Sequence, residues 1–258
     1  MEVREWCQRI LSADTLEEKL LDPEELSDLN PGPPLIWKEP VRPAGLGFQR
    51  RTRKEKLPPL CDHRHTDKRA ICLHRFAGHE LLAVEMMAHA LLAFPNAPTN
   101  FRKGLIHTLK EEQEHVKLYC NRLKEMGVSF GDHPLYRHFW NHTPYIRSPL
   151  HYISVMSLTL EMANLDFAPL YGASFEKHGD IKSSELMATI LNDEIRHVRF
   201  GWRWLQHYKK EELSTWQTWL QSLPPYLSPK RAVGFQLNEE PRIKAGVSTE
   251  WIEQLRLA

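Results

Sequence analysis

Two short stretches each place a glutamate and a histidine three residues apart, Glu112 with His115 and Glu194 with His197. On a helix, positions i and i+3 share one face, so carboxylate and imidazole can reach the same cation. Either stretch alone is a weak signal, because Glu-x-x-His arises by chance on wet helix faces. Each is preceded, however, by a glutamate set in a largely apolar stretch: Glu80 within Phe76–Val84 and Glu161 within Val155–Ala163. A carboxylate on an apolar face costs free energy unless it is paired or metal-bound. The separations nearly agree, 32 residues from Glu80 to Glu112 and 33 from Glu161 to Glu194. A further acid follows each upstream glutamate by five residues, Glu85 and Asp166.

One glutamate from each of two helices, with Glu-x-x-His from each of two others, is the ligand set of di-iron and di-manganese carboxylate bundles. The pattern assigns Glu80 and His115 to one ion and Glu161 and His197 to the other. Glu112 and Glu194 then bridge or lie between them. Four carboxylates and two neutral imidazoles balance two divalent cations, which makes burial tolerable. Carboxylate and imidazole suit iron and manganese, so two iron ions, an Fe/Mn pair or an Mn/Mn pair all fit. Glu85 lies about 140° round the helix from Glu80 at 100° per residue. It and Asp166 are candidates for orienting ligands from behind. Tyr119, one turn beyond His115, can hydrogen-bond a ligand or be oxidised; its plainer reading is a core tyrosine.

Four long helices must carry these residues. The first is expected from about Asp67 to Phe94, stopped by Pro95, and the second from Pro98-Thr99 to Gly127, a natural C′ glycine. The third begins near Ser148-Pro149 and carries Glu161, with Pro169 expected to kink or interrupt it. The fourth runs from about Ile181 to Tyr208. Residues 127–150 form a connection whose His133, His138 and His142 read as surface or lid residues. Before the bundle, residues 1–28 look helical, and the prolines between Asn30 and Leu60 predict an irregular arm. Beyond it come a short helix with Trp216 and Trp219 and a polar tail, Gly234 to Ala258, expected to pack weakly or on a neighbour. The reading is all-α: an N-terminal helix and Pro/Arg-rich arm (1–60), a dinuclear-metal four-helix bundle (61–210) and a short C-terminal helical extension (211–258).

With 258 residues, 41% hydrophobic and 26% charged, the chain has ordinary globular composition. A net charge of +1 does not announce nucleic acid or an acidic membrane. The apolar runs are short and broken by charge, so no membrane span is expected. The first residues lack the apolar core of a secretory signal. Cys7, Cys61, Cys72 and Cys120 form no Cys-x-x-Cys pair, which suits reduced thiols and a cytoplasmic location. Cys61, His63, His65, Cys72 and His74 offer a zinc alternative, but their spacing matches no regular zinc module. The basic run Arg50 to Lys56 reads as a solvated charge run or as an RNA or phosphate contact.

Together, His74, His79-Glu80-Leu81, Glu85, Phe94-Pro95, Glu111-Glu112 with His115, Met126-Gly127 and Gly131-Asp132 form a recurring set. Glu161-Met162-Ala163-Asn164-Leu165-Asp166 with Pro169 and Asp193-Glu194-Ile195-Arg196-His197-Val198 with Gly201 complete it. This set resembles the ferritin-like family called "domain of unknown function 455", over roughly residues 60 to 210. One departure is Gly78, where that family is expected to carry a histidine. The order Glu, Glu-x-x-His, Glu, Glu-x-x-His is also similar to the tRNA hydroxylase that oxidises an isopentenyl-type adenosine side chain.

The resemblance implies a ferritin-like four-helix bundle but no established reaction; the metal site, with the likeness to the hydroxylase, leads to the expectation of an oxygen-activating, hydroxylase-like oxidoreductase. Its substrate would be a small molecule or RNA. An electron-donor protein and oligomerisation are compatible with it. Metal storage or detoxification, and a non-catalytic interaction protein with a structural metal site, are the alternatives. The long Pro-rich arm and near-neutral charge argue against storage.

Overall fold

The computed structural model describes residues 1–50 and 56–258. Most of the basic run from Arg50 to Lys56 therefore lies outside the described residues. The architecture is all-α; among the described residues there is no strand, only isolated bridges at Glu2–Ser27 and Phe48–Leu135. No described helix is long and apolar enough to cross a membrane. The chain divides into two compact units, Met1–Asn141 and His142–Ala258.

The first unit opens with α1 (Val3–Ser12), which buries Trp6, Cys7, Ile10 and Leu11 along one stripe and packs on the third helix. α2 (Leu16–Lys19) is a single turn whose Thr15 side chain caps Glu18 N–H. Residues 1–28 are thus helical only in these two pieces. Among the described residues between α2 and Leu60 no helix forms, and this Pro-rich segment is anchored. Leu35 N–H donates to Leu92 O (3.0 Å), Val41 N–H to Leu11 O (2.8 Å), and Trp140 Nε1 to Lys38 O (3.0 Å).

α3 (Thr66–Ala93) is buried nearly all round, because α1, the arm and α4 (Thr99–Glu125) cover it on different sides. Arg102 closes this hairpin. It donates to Leu91 O and Phe94 O at the carbonyl end of α3 and pairs in bidentate fashion with Asp28 (2.6 and 2.7 Å). Gly127 ends α4 at φ 75°, with Val128 N–H donating back to Leu123 O, so the expected C′ glycine is in place.

In the second unit Ser148 caps α5 (Pro149–Val155). The chain then widens into a π turn over Met156–Glu161 before α6 (Met162–Lys177). The expected interruption at Pro169 does not occur: α6 runs through it, and the irregularity sits before Glu161 instead. α7 (Ile181–Tyr208), capped by Asp180, packs along α6.

Next come α8 (Thr215–Gln221), started by a Ser214/Gln217 capping box, α9 (Glu239–Ala245) and α10 (Thr249–Leu257). The tail is not weakly packed. Trp251, Ile252 and Leu255 are buried, and Trp251 meets Trp202, Trp216 and Trp219 in one aromatic cluster. Its mean polarity hides an inward face on each short helix.

Candidate metal centre

In the first unit the α3–α4 hairpin brings Glu80, Glu112 and His115 together. One ligand atom of each lies within 4.8 Å of the others. All three are buried, at 4%, 0% and 1% exposure. His115 Nδ1 faces Glu112 Oε2 at 3.3 Å and Glu80 Oε2 at 3.8 Å. Burial, and then the neighbouring charge of Glu112, push the Glu80 carboxyl well above the usual carboxylate range, while His115 pulls it back. The two carboxylates repel each other in a dry place, and His115 offsets only part of that repulsion; a cation would complete the neutralisation. The donor set therefore fits a hard or borderline divalent ion such as iron or manganese.

In the second unit the corresponding residues are Glu161, Glu194 and His197, exposed by 4%, 1% and 1%. A carboxylate oxygen of Glu161 lies within 4.8 Å of a ring nitrogen of His197. His197 Nδ1 is 3.6 Å from Glu194 Oε2. Asn164 Nδ2 donates to the other oxygen, Glu194 Oε1, at 2.7 Å. Asn164 thereby fixes the carboxylate with Oε2 toward the histidine. Spacing did not single it out, because a carboxamide one turn below Glu161 has no chemical signature until α6 meets α7.

The acids five residues downstream have other work. Glu85 is fully buried between Lys19 Nζ (3.0 Å) and Arg42 Nη2 (2.6 Å). Burial lowers the Lys19 pKa, and Glu85 opposes that shift. Asp166 takes a bidentate pair from Arg242 (2.6 and 2.8 Å) and accepts Gly234 N–H (2.8 Å) and Asn238 N–H (2.7 Å). Neither serves as the ligand-orienting residue expected from the sequence. Each clamps an extension onto its hairpin: the N-terminal arm by Glu85, the C-terminal helices by Asp166. The 140° offset from the ligand glutamates is what turns them to the opposite side. Tyr119 is a buried core tyrosine packed edge-on against Phe76.

The remaining histidines are mostly structural. His74 Nε2 accepts Gly131 N–H (2.8 Å), and burial lowers its pKa to about 4. His133 and His138 are half-buried and pack against His74 and His79, and His142, read as a surface or lid residue, is buried against Tyr226. In the zinc alternative, Cys72 Sγ meets His63 Nε2 at 3.5 Å, while Cys61 is exposed and His74 is committed to Gly131. Gly78 has a local reason: a Cβ there would approach Leu135 Cδ2 to 2.6 Å, so any side chain at this position requires Leu135 to turn away. His79 does not replace it, since its ring packs on His138 and Phe139.

The chain matches the model of the family described as "Protein of unknown function (DUF455)" over residues 4–253, and it belongs to that family. Comparison with curated proteins and with solved structures gives no match.

Proposed function

We propose that this member of the DUF455 family is a ferritin-like, dinuclear-metal, oxygen-activating oxidoreductase of the hydroxylase type. The observation that carries the reading is the dry cluster of Glu80, Glu112 and His115, with Glu80 pushed toward its neutral form. Such a cluster is costly to bury without a counter-charge, and a bound cation relieves that cost. The second unit repeats the residue types and the facing of histidine Nδ1 to its own i−3 glutamate. We assign the six ligands to two ions, iron or manganese. When bound, such a pair supplies one-electron redox chemistry and open positions for dioxygen.

The chain's own contribution is placement. Glu80 and Glu161 each come from a first helix, and Glu-x-x-His from a second, so the hairpins set the ligand spacing. Asn164 holds Glu194 in one orientation. The surrounding Leu, Met and Ala side chains of α3 and the buried π turn exclude water from the acids. The substrate is proposed to be a small apolar molecule or RNA, with an electron-donor protein restoring the reduced state.

The test begins with metal content of the full chain grown with iron and manganese, expected at about two ions per chain. Anaerobic reduction and an oxygen pulse followed by absorbance come next. Glu112→Ala and His197→Ala should each lose metal. A chain that carries no metal, or variants that keep the wild-type content, overturn the reading.

A further inference from the structure

Glu161 is the last residue of the π turn Met156–Glu161, so the geometry of that turn decides where its carboxylate lies. π turns within α-helices are uncommon and need support for the backbone groups they disturb. Here Ser154 O accepts the Thr159 hydroxyl (2.7 Å) and the indole N–H of the fully buried Trp219 (3.1 Å). Both flanks of the turn are fixed. Tyr152, Ile153 and Val155 are buried in α5, and Asp166 ties α6 to Arg242.

The π turn packs on α7, where it meets Gly201, one turn beyond His197. A Cβ on Gly201 would fall inside the envelope of Ser157 Cβ and come within 3.3 Å of Leu158 Cγ. The Ser157 contact is made at the root of a side chain, so a rotamer change cannot relieve it; backbone must move. Whichever backbone yields, the π turn that carries Glu161 or the stretch of α7 that carries His197, the two move apart.

We propose that Gly201 is a positioning residue for Glu161: its missing side chain lets the π turn close on α7 and brings the Glu161 carboxylate to His197. This inference rests on the metal-site reading above.

The test compares wild type, Gly201→Ala, Ser157→Gly and the double variant. Ferrous iron affinity is measured under argon by competition with a chromophoric chelator, alongside amide exchange of residues 156–161. Gly201→Ala should weaken iron binding about 10–100-fold, the usual effect of disturbing a residue that supports a ligand. It should also speed exchange in the π turn. Removing the opposing Cβ in the double variant should restore both, whereas Ser157→Gly alone should bind as wild type does. If Gly201→Ala fails to fold, a double variant that folds and binds like wild type still supports the proposal. Wild-type affinity in Gly201→Ala overturns it, as does a double variant no better than the single one. A wild-type chain that binds no iron is a different result: it removes the metal-site reading itself, and the positioning role with it.

Discussion

Glu80 and Glu85 stand five residues apart on α3 and have opposite electrostatic surroundings. Glu85 lies between two cations, whereas Glu80 faces Glu112 in a dry pocket and is pushed toward protonation. In the metal-free protein the folded Glu80 pKa exceeds its ordinary 4.5. The native state then holds a proton that the unfolded chain releases, so stability falls as pH rises from 4.5 through the raised value. Glu80→Gln removes this penalty. The metal-free variant should therefore unfold at a temperature equal to or above that of metal-free wild type near pH 7, with a flatter pH dependence, while losing iron affinity. A metal-free variant less stable than wild type at every pH would show that Glu80 is satisfied without metal. The six candidate ligands were legible in the sequence because i, i+3 spacing and apolar context are local. Asn164 was not, because its partner is thirty residues away on another helix. The 140° offset set Glu85 apart from the ligand face, but nothing local told that Glu85 and Asp166 pair with Lys19, Arg42 and Arg242 instead of orienting ligands.

At the scale of elements, the long helices follow from periodicity and caps, and their ends fall within two or three residues of expectation. The π turn does not. The two glutamate separations differ by one residue, which is the size of insertion a π turn absorbs. The connections 94–98 and 178–180 also differ in length, so spacing alone does not locate it. The packing of the tail from Gly234 was misjudged because α9 is polar on average, yet Arg242 is fully buried and holds Asp166 together with the carbonyls of Met162, Ala232 and Asn238. Arg242→Met should cost about 3–5 kcal/mol, since it strands a buried carboxylate whose partner is gone. Arg256→Met, which removes exposed pairs with Glu239 and Glu253, should change little. Urea unfolding of both variants checks the contrast, and similar small losses would mean that Asp166 finds other partners. At Gly78, replacement by His should be far more damaging than by Ala, because a turned Leu135 side chain can admit a methyl group but not a ring.

Over the whole molecule, the prolines between Asn30 and Leu60 argued against a helix there, and among the described residues none forms, but the anchoring of this segment left no sign in the sequence. The bonds from Leu35, Trp37 and Val41 to α3 and α1 join residues far apart in sequence and leave no local trace. The same arm makes the fold sensitive to acid. Trp37 N–H donates to Nδ1 of His89, whose pKa burial lowers from 6.5 to about 4. His74 in the first unit and His142 in the second are likewise lowered to about 4 by burial. These rings are neutral in the fold and charge more readily when unfolded. Their contribution is complete above pH 6.5 and is lost as pH falls toward 4, at up to about 3 kcal/mol for each fully buried ring. Melting temperature measured from pH 7 to 4.5 should fall steadily, and His89→Asn should flatten part of that slope.

Metal acts on the whole chain in the opposite sense. A cation that binds only the folded state stabilises it by RT ln(1 + [L]/Kd), about 2.7 kcal/mol at a hundredfold excess over Kd. For a chain of this size each kcal/mol raises Tm by roughly 2–4 °C. Ferrous or manganous ion added to the chelator-stripped protein should therefore raise Tm by roughly 5–10 °C. The rise should diminish below about pH 5, where protons compete for the carboxylates. Glu80→Gln separates this effect from general ion stabilisation. It leaves the surface charge of the folded chain nearly unchanged and alters one buried oxygen, so its Tm should respond much less to metal. An equal rise in the variant would place the stabilising ion somewhere other than the Glu80, Glu112 and His115 cluster.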